Sequence, residues 1–207
     1  MEAEQWDAKY AERELVWSAG PNVFVEQHCA DLPPGRALDV AGGEGRNALW
    51  LADRGWDAVV ADFSQVALDR ALRIRAERPE QHGSFGVRRV DVLAEPLGQR
   101  DQDLVLVCYL QLAELQRRVA LRSAADAVAP GGTLLVVAHH SDNLEQGVGG
   151  PQNAMWLYTQ DDVVSDIEGS GLTPVLSERA ARWVDVDSAG GVERKAAWDV
   201  VVLARRD

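Results

Sequence analysis

The chain has 207 residues, 46% hydrophobic and 26% charged, which describes one ordinary globular domain with room for a sizeable core. Its 33 acidic side chains against 21 Lys and Arg give a net charge of −12, which opposes a nucleic-acid backbone as partner. The acidic start Met1-Glu2-Ala3-Glu4 lacks the apolar centre of a signal peptide, and the longest apolar run, Leu104 to Leu110, is too short to span a bilayer. The expectation is a cytoplasmic protein with no membrane partner.

Residues 1–31 are expected to form a helical cap. Trp6, Tyr10 and Arg13 fall at helical spacing and Trp17 follows a turn later, to cover either the core or a ligand. Pro21 suits the first turn of a helix reaching about Asp31, and Leu32-Pro33-Pro34-Gly35 stops it. Cys29 and Cys108 have neither framework nor metal-ligand spacing, so reduced thiols and no metal site are expected.

From 36 to 207, strand and helix patterns alternate. Arg36 to Ala41 reads as a buried strand, Gly45 to Arg54 as a helix with Gly55 at its C-cap, and Trp56 to Ala61 as the second strand. Ser64 suits the N-cap of a helix through about Glu77, and Phe85 to Val90 is the third strand. The nearly uniform apolar run Asp103 to Tyr109 predicts a strand buried on both faces. A helix from Glu114 to Val128 is punctuated by Pro130-Gly131-Gly132 before a strand over Thr133 to Ala138.

Residues 139–158, rich in Gly, Asn and Pro, read as a long loop of the kind that is either functional or disordered. A short helix, Asp161 to Glu168, precedes strands over Thr173 to Trp183 and Lys195 to Ala204, joined by a polar turn region from Asp185 to Gly191. The fold expected is α/β: a single Rossmann-like, doubly wound domain, mostly parallel, with an antiparallel C-terminal hairpin.

The most informative stretch is Ala37 to Trp50. An apolar run reaches Asp39, passes Gly42, Gly43 and Gly45, and flows into a helical pattern. Glycines there allow a tight turn and close approach of a ligand to the backbone. Asp39, Asp62 and Asp91 each stand near the end of one of the first three strands, so one sheet edge carries three carboxylates. Gly43-Glu44-Gly45-Arg46-Asn47-Ala48 also fits the dinucleotide fingerprint, with Asp62 near the distance that holds a ribose. Asp39 separates the readings: a carboxylate repels a pyrophosphate, whereas a cofactor with an ammonium and a sulfonium favours it.

Leu38-Asp39-Val40-Ala41-Gly42-Gly43-Glu44-Gly45-Arg46-Asn47 resembles the first motif of the class I S-adenosylmethionine-dependent methyltransferases. Within them the chain is similar to the small tellurite-resistance-type and thiopurine-methyltransferase-like group. The likeness includes Trp6-Asp7-Ala8-Lys9-Tyr10 with Trp17, Glu193-Arg194-Lys195 and the strand ending Val201-Val202-Leu203-Ala204-Arg205-Arg206. The resemblance implies S-adenosylmethionine as cofactor. Asp39 and the backbone of Ala41, Gly42, Gly43 and Gly45 would lie against its methionine part and sugar. Asp62 would take the ribose hydroxyls, Phe63 would pack on the adenine, and Asp91 and Val92 would hold the adenine edge. Cys108 would line the site, and Tyr10 and Trp17 would close over it. Ala41 stands where the family has a glycine, and would be strained if that position needs a positive φ.

The chemistry so implied is methyl transfer to a small-molecule nucleophile by in-line displacement, in which alignment supplies roughly 7–11 kcal/mol at best. A base is needed only for a nucleophile that starts protonated. His139, His140 and Tyr109, after the fourth and fifth strands, are the candidate catalytic residues. Each histidine also fits a polar residue leaving a strand, and Tyr109 also fits a packed aromatic. Two alternatives stay open: an NAD(P)-dependent oxidoreductase and a non-catalytic S-adenosylmethionine-binding protein. Nothing in the sequence reads out an oligomeric state.

Overall fold

The computed structural model describes residues 7, 20–78, 82–98, 100–188 and 191–207. Most of the expected N-terminal cap, with Trp6, Tyr10 and Trp17, lies outside them. The described elements are α1 (Val23–Cys29), β1 (Arg36–Val40), α2 (Arg46–Ala52), β2 (Asp57–Asp62), α3 (Gln65–Ala76), β3 (Ser84–Arg89), β4 (Gln102–Cys108), α4 (Glu114–Ala127), β5 (Val128–His139), α5 (Gln160–Ile167), β6 (Leu172–Ser188) and β7 (Gly191–Arg206). They build a seven-stranded sheet in the order β3-β2-β1-β4-β5-β7-β6, parallel except for β7, which runs antiparallel to both of its neighbours.

Strand alternation divides the core. Leu38, Val40, Val105, Val107, Leu134 and Val136 face one side, packed with Leu121, Ala124, Val163 and Ile167 of α4 and α5. Ala37, Leu104, Leu106, Leu135 and Val137 face the other, packed with Phe24, Val25, Trp50, Leu51 and Leu68 of α1 to α3. Each Val, Leu, Ile or Phe among them stabilises the fold by about 1.5–3 kcal/mol when fully buried. Arg206 closes the far end, donating from its guanidinium to the carbonyls of Val128, Ser170 and Ala125. These bonds tie the end of β7 to the α4–β5 junction, adding to the Val128 N–H that already caps the Ala125 carbonyl.

The chain reverses its direction of travel across the sheet at β1, which pairs β2 on one side and β4 on the other. The crevice beyond the carboxyl ends of β1 and β4 is therefore the topological switch point, where ligands bind in such sheets. The five-residue β1 puts Asp39 opposite Leu106 and Val40 opposite Val107, so the glycine turn opens beside Cys108.

Two boundaries differ from the expectation. Strand β5 starts directly after α4, and Pro130-Gly131-Gly132 lies within it, accommodated by a register shift between Gln102 and Leu104. The hairpin strands are 17 and 16 residues long, so the polar stretch from Asp185 is strand, not turn. A ribbon without a helix over both faces keeps polar residues along its length, which makes it look like a loop in sequence; Asp185 pairs Arg194 across it. The ribbon runs past His139↔Asp199, the last β5–β7 pair, and projects over the carboxyl edge.

The segment after β5 is held, not loose. It contains short 3-10 turns at Ser141–Leu144 and Ala154–Trp156, and its ends meet at a His140↔Tyr158 bridge. Asn143, buried, accepts the Trp198 N–H at 2.7 Å and donates to the Trp198 carbonyl at 2.6 Å, so a side-chain amide continues the ladder where β5 has ended. Tyr158, also buried, donates from its hydroxyl to the Leu110 carbonyl. No helix among the described residues is long and apolar enough to cross a membrane.

Candidate functional site

The turn from β1 to α2 uses left-handed backbone at Ala41 (φ 53°), Gly43 (φ 56°) and Gly45 (φ 76°). Position 41 therefore does need a positive φ, and its alanine is strained by about 1–2 kcal/mol. The surroundings impose it: the Ala41 N–H donates to the Ala61 carbonyl at 2.7 Å. Gly45 is constrained twice, because a Cβ there would also stand 2.8 Å from Val60 Cγ2. At Gly42 a Cβ would stand 2.7 Å from Asp39 Cγ, so the missing side chain is what lets the turn close onto that carboxyl.

Asp39 is 1% exposed, and neither carboxylate oxygen completes a hydrogen bond. Burial pushes it up to about 7, while the Ala48 N–H, the Arg46 charge and the Asn47 side chain lie close enough to moderate the rise. Asp62 is also buried but is occupied by backbone: Oδ2 accepts the Gly43 N–H at 2.9 Å and Oδ1 the Ser64 N–H at 2.8 Å. It pins the glycine turn to the start of α3. Burial raises its pKa, opposed by the N–H groups of Ser64, Gly43 and Phe63. Ser64, the N-cap of α3, also donates from its hydroxyl to Asp7.

Farther along the edge a cleft of about 370 Å³ is lined by Phe63, Arg89, Val90, Asp91 and Glu95. Asp91 turns one oxygen to the Leu93 N–H at 2.9 Å, and Val92 packs half-buried against the core. On the other side of the turn Cys108 ends β4; burial and then the Asp39 charge hold its thiol well above its usual range, so it stays protonated.

A second group of polar side chains gathers at the carboxyl ends of β4 and β5, beside Asp199 within β7. Tyr109, at φ 58°, follows Cys108 and stacks on His139, with ring centroids 4.5 Å apart. Asp199 of β7 is fully buried beside them. Its Oδ2 accepts the Tyr109 hydroxyl at 3.1 Å and Arg182 Nε at 2.8 Å; its Oδ1 lies 3.4 Å from His139 Nδ1. Burial, reinforced by the Asp199 charge and opposed by Arg182, pushes the Tyr109 phenol up, so it is a neutral donor. Gln111 braces the group, accepting the His139 N–H at 2.9 Å and donating to the Trp156 carbonyl.

His140 is not part of this group. It is buried, its Nδ1 accepts the Asp142 N–H at 3.0 Å, and it caps the Ser141–Leu144 turn.

Residues 37–132 match a family model described as a methyltransferase domain. The chain is similar to glycine N-methyltransferase of Mus musculus, 28% identical over 151 residues, covering 67% of this chain and 51% of that protein. It thus spans about half the length of that curated relative. It also shares its fold with a structure reported for the conversion of a disulfide bond into a thioacetal group during echinomycin biosynthesis: 19% identity, TM-score 0.75, covering 99% of this chain and 92% of that one. TehB from Haemophilus influenzae matches at 16% identity and TM-score 0.71, covering 100% of this chain and 68% of that one. Over residues 37–132 the chain is thus similar to methyltransferase domains, and its fold is one that such structures share.

The cofactor of such domains is S-adenosylmethionine, and the residues present fit it. An unpartnered carboxylate, buried beneath a turn cleared of side chains, suits a ligand that brings a cation and repels one that brings a pyrophosphate. Asp39, Gly42, Gly43, Gly45 and Asp62 come together around the β1–α2 turn. Phe63 and Asp91 border the adjoining cleft. Tyr10 and Trp17 lie outside the described residues. Sequence reasoning missed Asp199 and Arg182. The available signal was a lone acid inside the apolar run Ala196-Ala197-Trp198-Asp199-Val200-Val201-Val202, a position where a carboxylate needs a partner.

Proposed function

We propose that this domain transfers a methyl group to a small-molecule nucleophile. The observation that carries the reading is the orphaned, buried carboxylate of Asp39 under the glycine turn. When bound, S-adenosylmethionine supplies an electrophilic methyl carbon on a sulfonium that leaves as a neutral thioether. Asp39 holds the ammonium end, and Asp62, already fixed by two backbone N–H groups, has lone pairs left for the ribose hydroxyls. Phe63, Asp91 and Val92 take the adenine. Tyr10 and Trp17 are proposed as its cover.

The acceptor enters from the other side, where Tyr109 follows β4 and His139 ends β5. Alignment of the acceptor atom with the methyl carbon and sulfur is the main task of the protein. His139 is the group there that can receive a proton; the Tyr109 phenol is neutral and donates to Asp199.

Titration calorimetry with S-adenosylhomocysteine and with NAD tests the cofactor half. Binding of the first and not the second is expected; the reverse ends this reading. Methyl-labelled S-adenosylmethionine with a phenol, a catechol, a primary amine, hydrosulfide and tellurite tests the transfer. Cofactor binding without label in any acceptor would favour a binding protein.

A further inference from the structure

We infer that Asp199 is a positioning residue that fixes the tautomer of His139, leaving Nε2 as a bare proton acceptor toward the methyl acceptor. This rests on the methyl-transfer reading of the site and deepens it. The acceptor is then a hydroxyl or an amine, whose attacking atom carries a proton at neutral pH, not a soft anion that needs no base.

The geometry is specific about which nitrogen faces which group. Asp199 stands opposite His139 in the β5–β7 register, so strand pairing, not a loop, sets their separation. His139 Nδ1 and Asp199 Oδ1 are both buried, neither completes a hydrogen bond, and they stand 3.4 Å apart. A lone pair on Nδ1 facing a buried carboxylate oxygen is repulsive, whereas an N–H there is attracted to it. The proton therefore belongs on Nδ1. The exposed share of the side chain, 17%, lies away from that buried nitrogen, which leaves Nε2 as the one a substrate can reach.

The ring is also confined. Tyr109 stacks on one face, and Gly150, at φ 76°, comes so close that a Cβ there would stand 2.8 Å from His139 Cγ. Among the described residues, the charged and titratable groups in contact with this pair are Asp199 from β7 and Tyr109 after β4 on His139, and Arg182 from β6 on Asp199. Arg182 and the Tyr109 hydroxyl occupy the other Asp199 oxygen, so Oδ1 is held for the imidazole.

The proton and electrons balance. A lone pair on the acceptor oxygen or nitrogen forms the new bond to carbon as the carbon–sulfur pair withdraws to sulfur. The acceptor's proton passes to His139 Nε2, and the resulting imidazolium lies beside the Asp199 carboxylate, which stabilises it.

The test is the ring tautomer, read by two-bond proton–nitrogen NMR correlation on the full chain labelled with nitrogen-15 in its four histidines. His139→Gln assigns the signal. At a pH about two units above the ordinary imidazole value, the Nδ1–H form is expected to dominate, with and without S-adenosylhomocysteine. Asp199→Asn is expected to shift the population at least tenfold toward Nε2–H, while Arg182→Gln leaves it in place. A wild-type ring protonated at Nε2, or a ring whose tautomer ignores Asp199→Asn, overturns the inference. The wild-type spectrum decides alone if that variant does not fold. Label reaching only hydrosulfide or tellurite in the transfer panel overturns it as well. Failed S-adenosylhomocysteine binding, by contrast, sinks the cofactor reading and leaves the tautomer readable.

Discussion

On the β1–β3 side of the carboxyl edge, Asp39 is 1% exposed with both oxygens unpartnered. On the β5–β7 side, Asp199 is equally buried but meets a tyrosine hydroxyl, an arginine and a histidine. The two carboxylates differ in who compensates them. An isolated buried charge costs several kcal/mol and responds by taking up a proton, as Asp39 does. A compensated one is part of the protein's own machinery. Among the described residues, the first is left without a compensating side-chain charge in contact, and the second holds side chains in place.

Asp39→Asn should break this comparison most strongly. If Asp39 meets the ligand's ammonium as proposed, S-adenosylhomocysteine affinity should fall about 100-fold, roughly 2.7 kcal/mol, by calorimetry. The ligand-free variant should nevertheless be the more stable protein. The Asp39 carboxyl lies near 7 in the folded chain against an ordinary 3.8. A raised acid contributes its stability below the unfolded value and loses it as pH rises through the folded one. The Tm advantage of Asp39→Asn should therefore be absent at about pH 4 and grow up to about pH 7, worth on the order of a few kcal/mol. Binding near pH 6 should release a proton, visible as a buffer-dependent heat, because the ammonium draws Asp39 into its ionised form.

Asp62→Ala asks whether the pinned carboxylate belongs with Asp39 in function or with Asp199 in support. It should do both, losing about 1–3 kcal/mol of stability with its two backbone partners and weakening S-adenosylhomocysteine as well. Denaturant titration alongside calorimetry reads both. Gly150→Ala should disturb the acceptor side alone. A Cβ in that left-handed position meets the His139 ring, costing about 1–3 kcal/mol and shifting the His139 NMR signals while cofactor affinity holds. Ala41→Gly is the smallest change expected. Relief of the left-handed alanine, partly offset by glycine's freedom in the unfolded chain, should raise stability by about 0.5–1 kcal/mol in the same titration. A loss of stability there would mean that alanine is not strained at φ 53°.

The cofactor side was legible because its signals are local. Asp39 and the glycines stand within seven consecutive residues, and glycine spacing constrains the backbone directly. Asp62 could be placed because strand ends carry a period the sequence shows. The projecting ribbon was shortened in the sequence reading because its exposed strands carry loop-like composition.

The amino-acid sequence by itself determined the alternating α/β order, the closing hairpin, the glycine turn and the acid before it. Only the tertiary structure decided that Ala41 is left-handed, that His140 turns inward as a cap, and that Asp199 faces His139. That last pairing joins residues 60 positions apart through the antiparallel insertion of β7 between β5 and β6. Strand register is a property of the whole sheet: a shift by one residue would turn Asp199 to the opposite face. Local pattern could mark a buried acid in β7, but only the packed sheet says which histidine it holds.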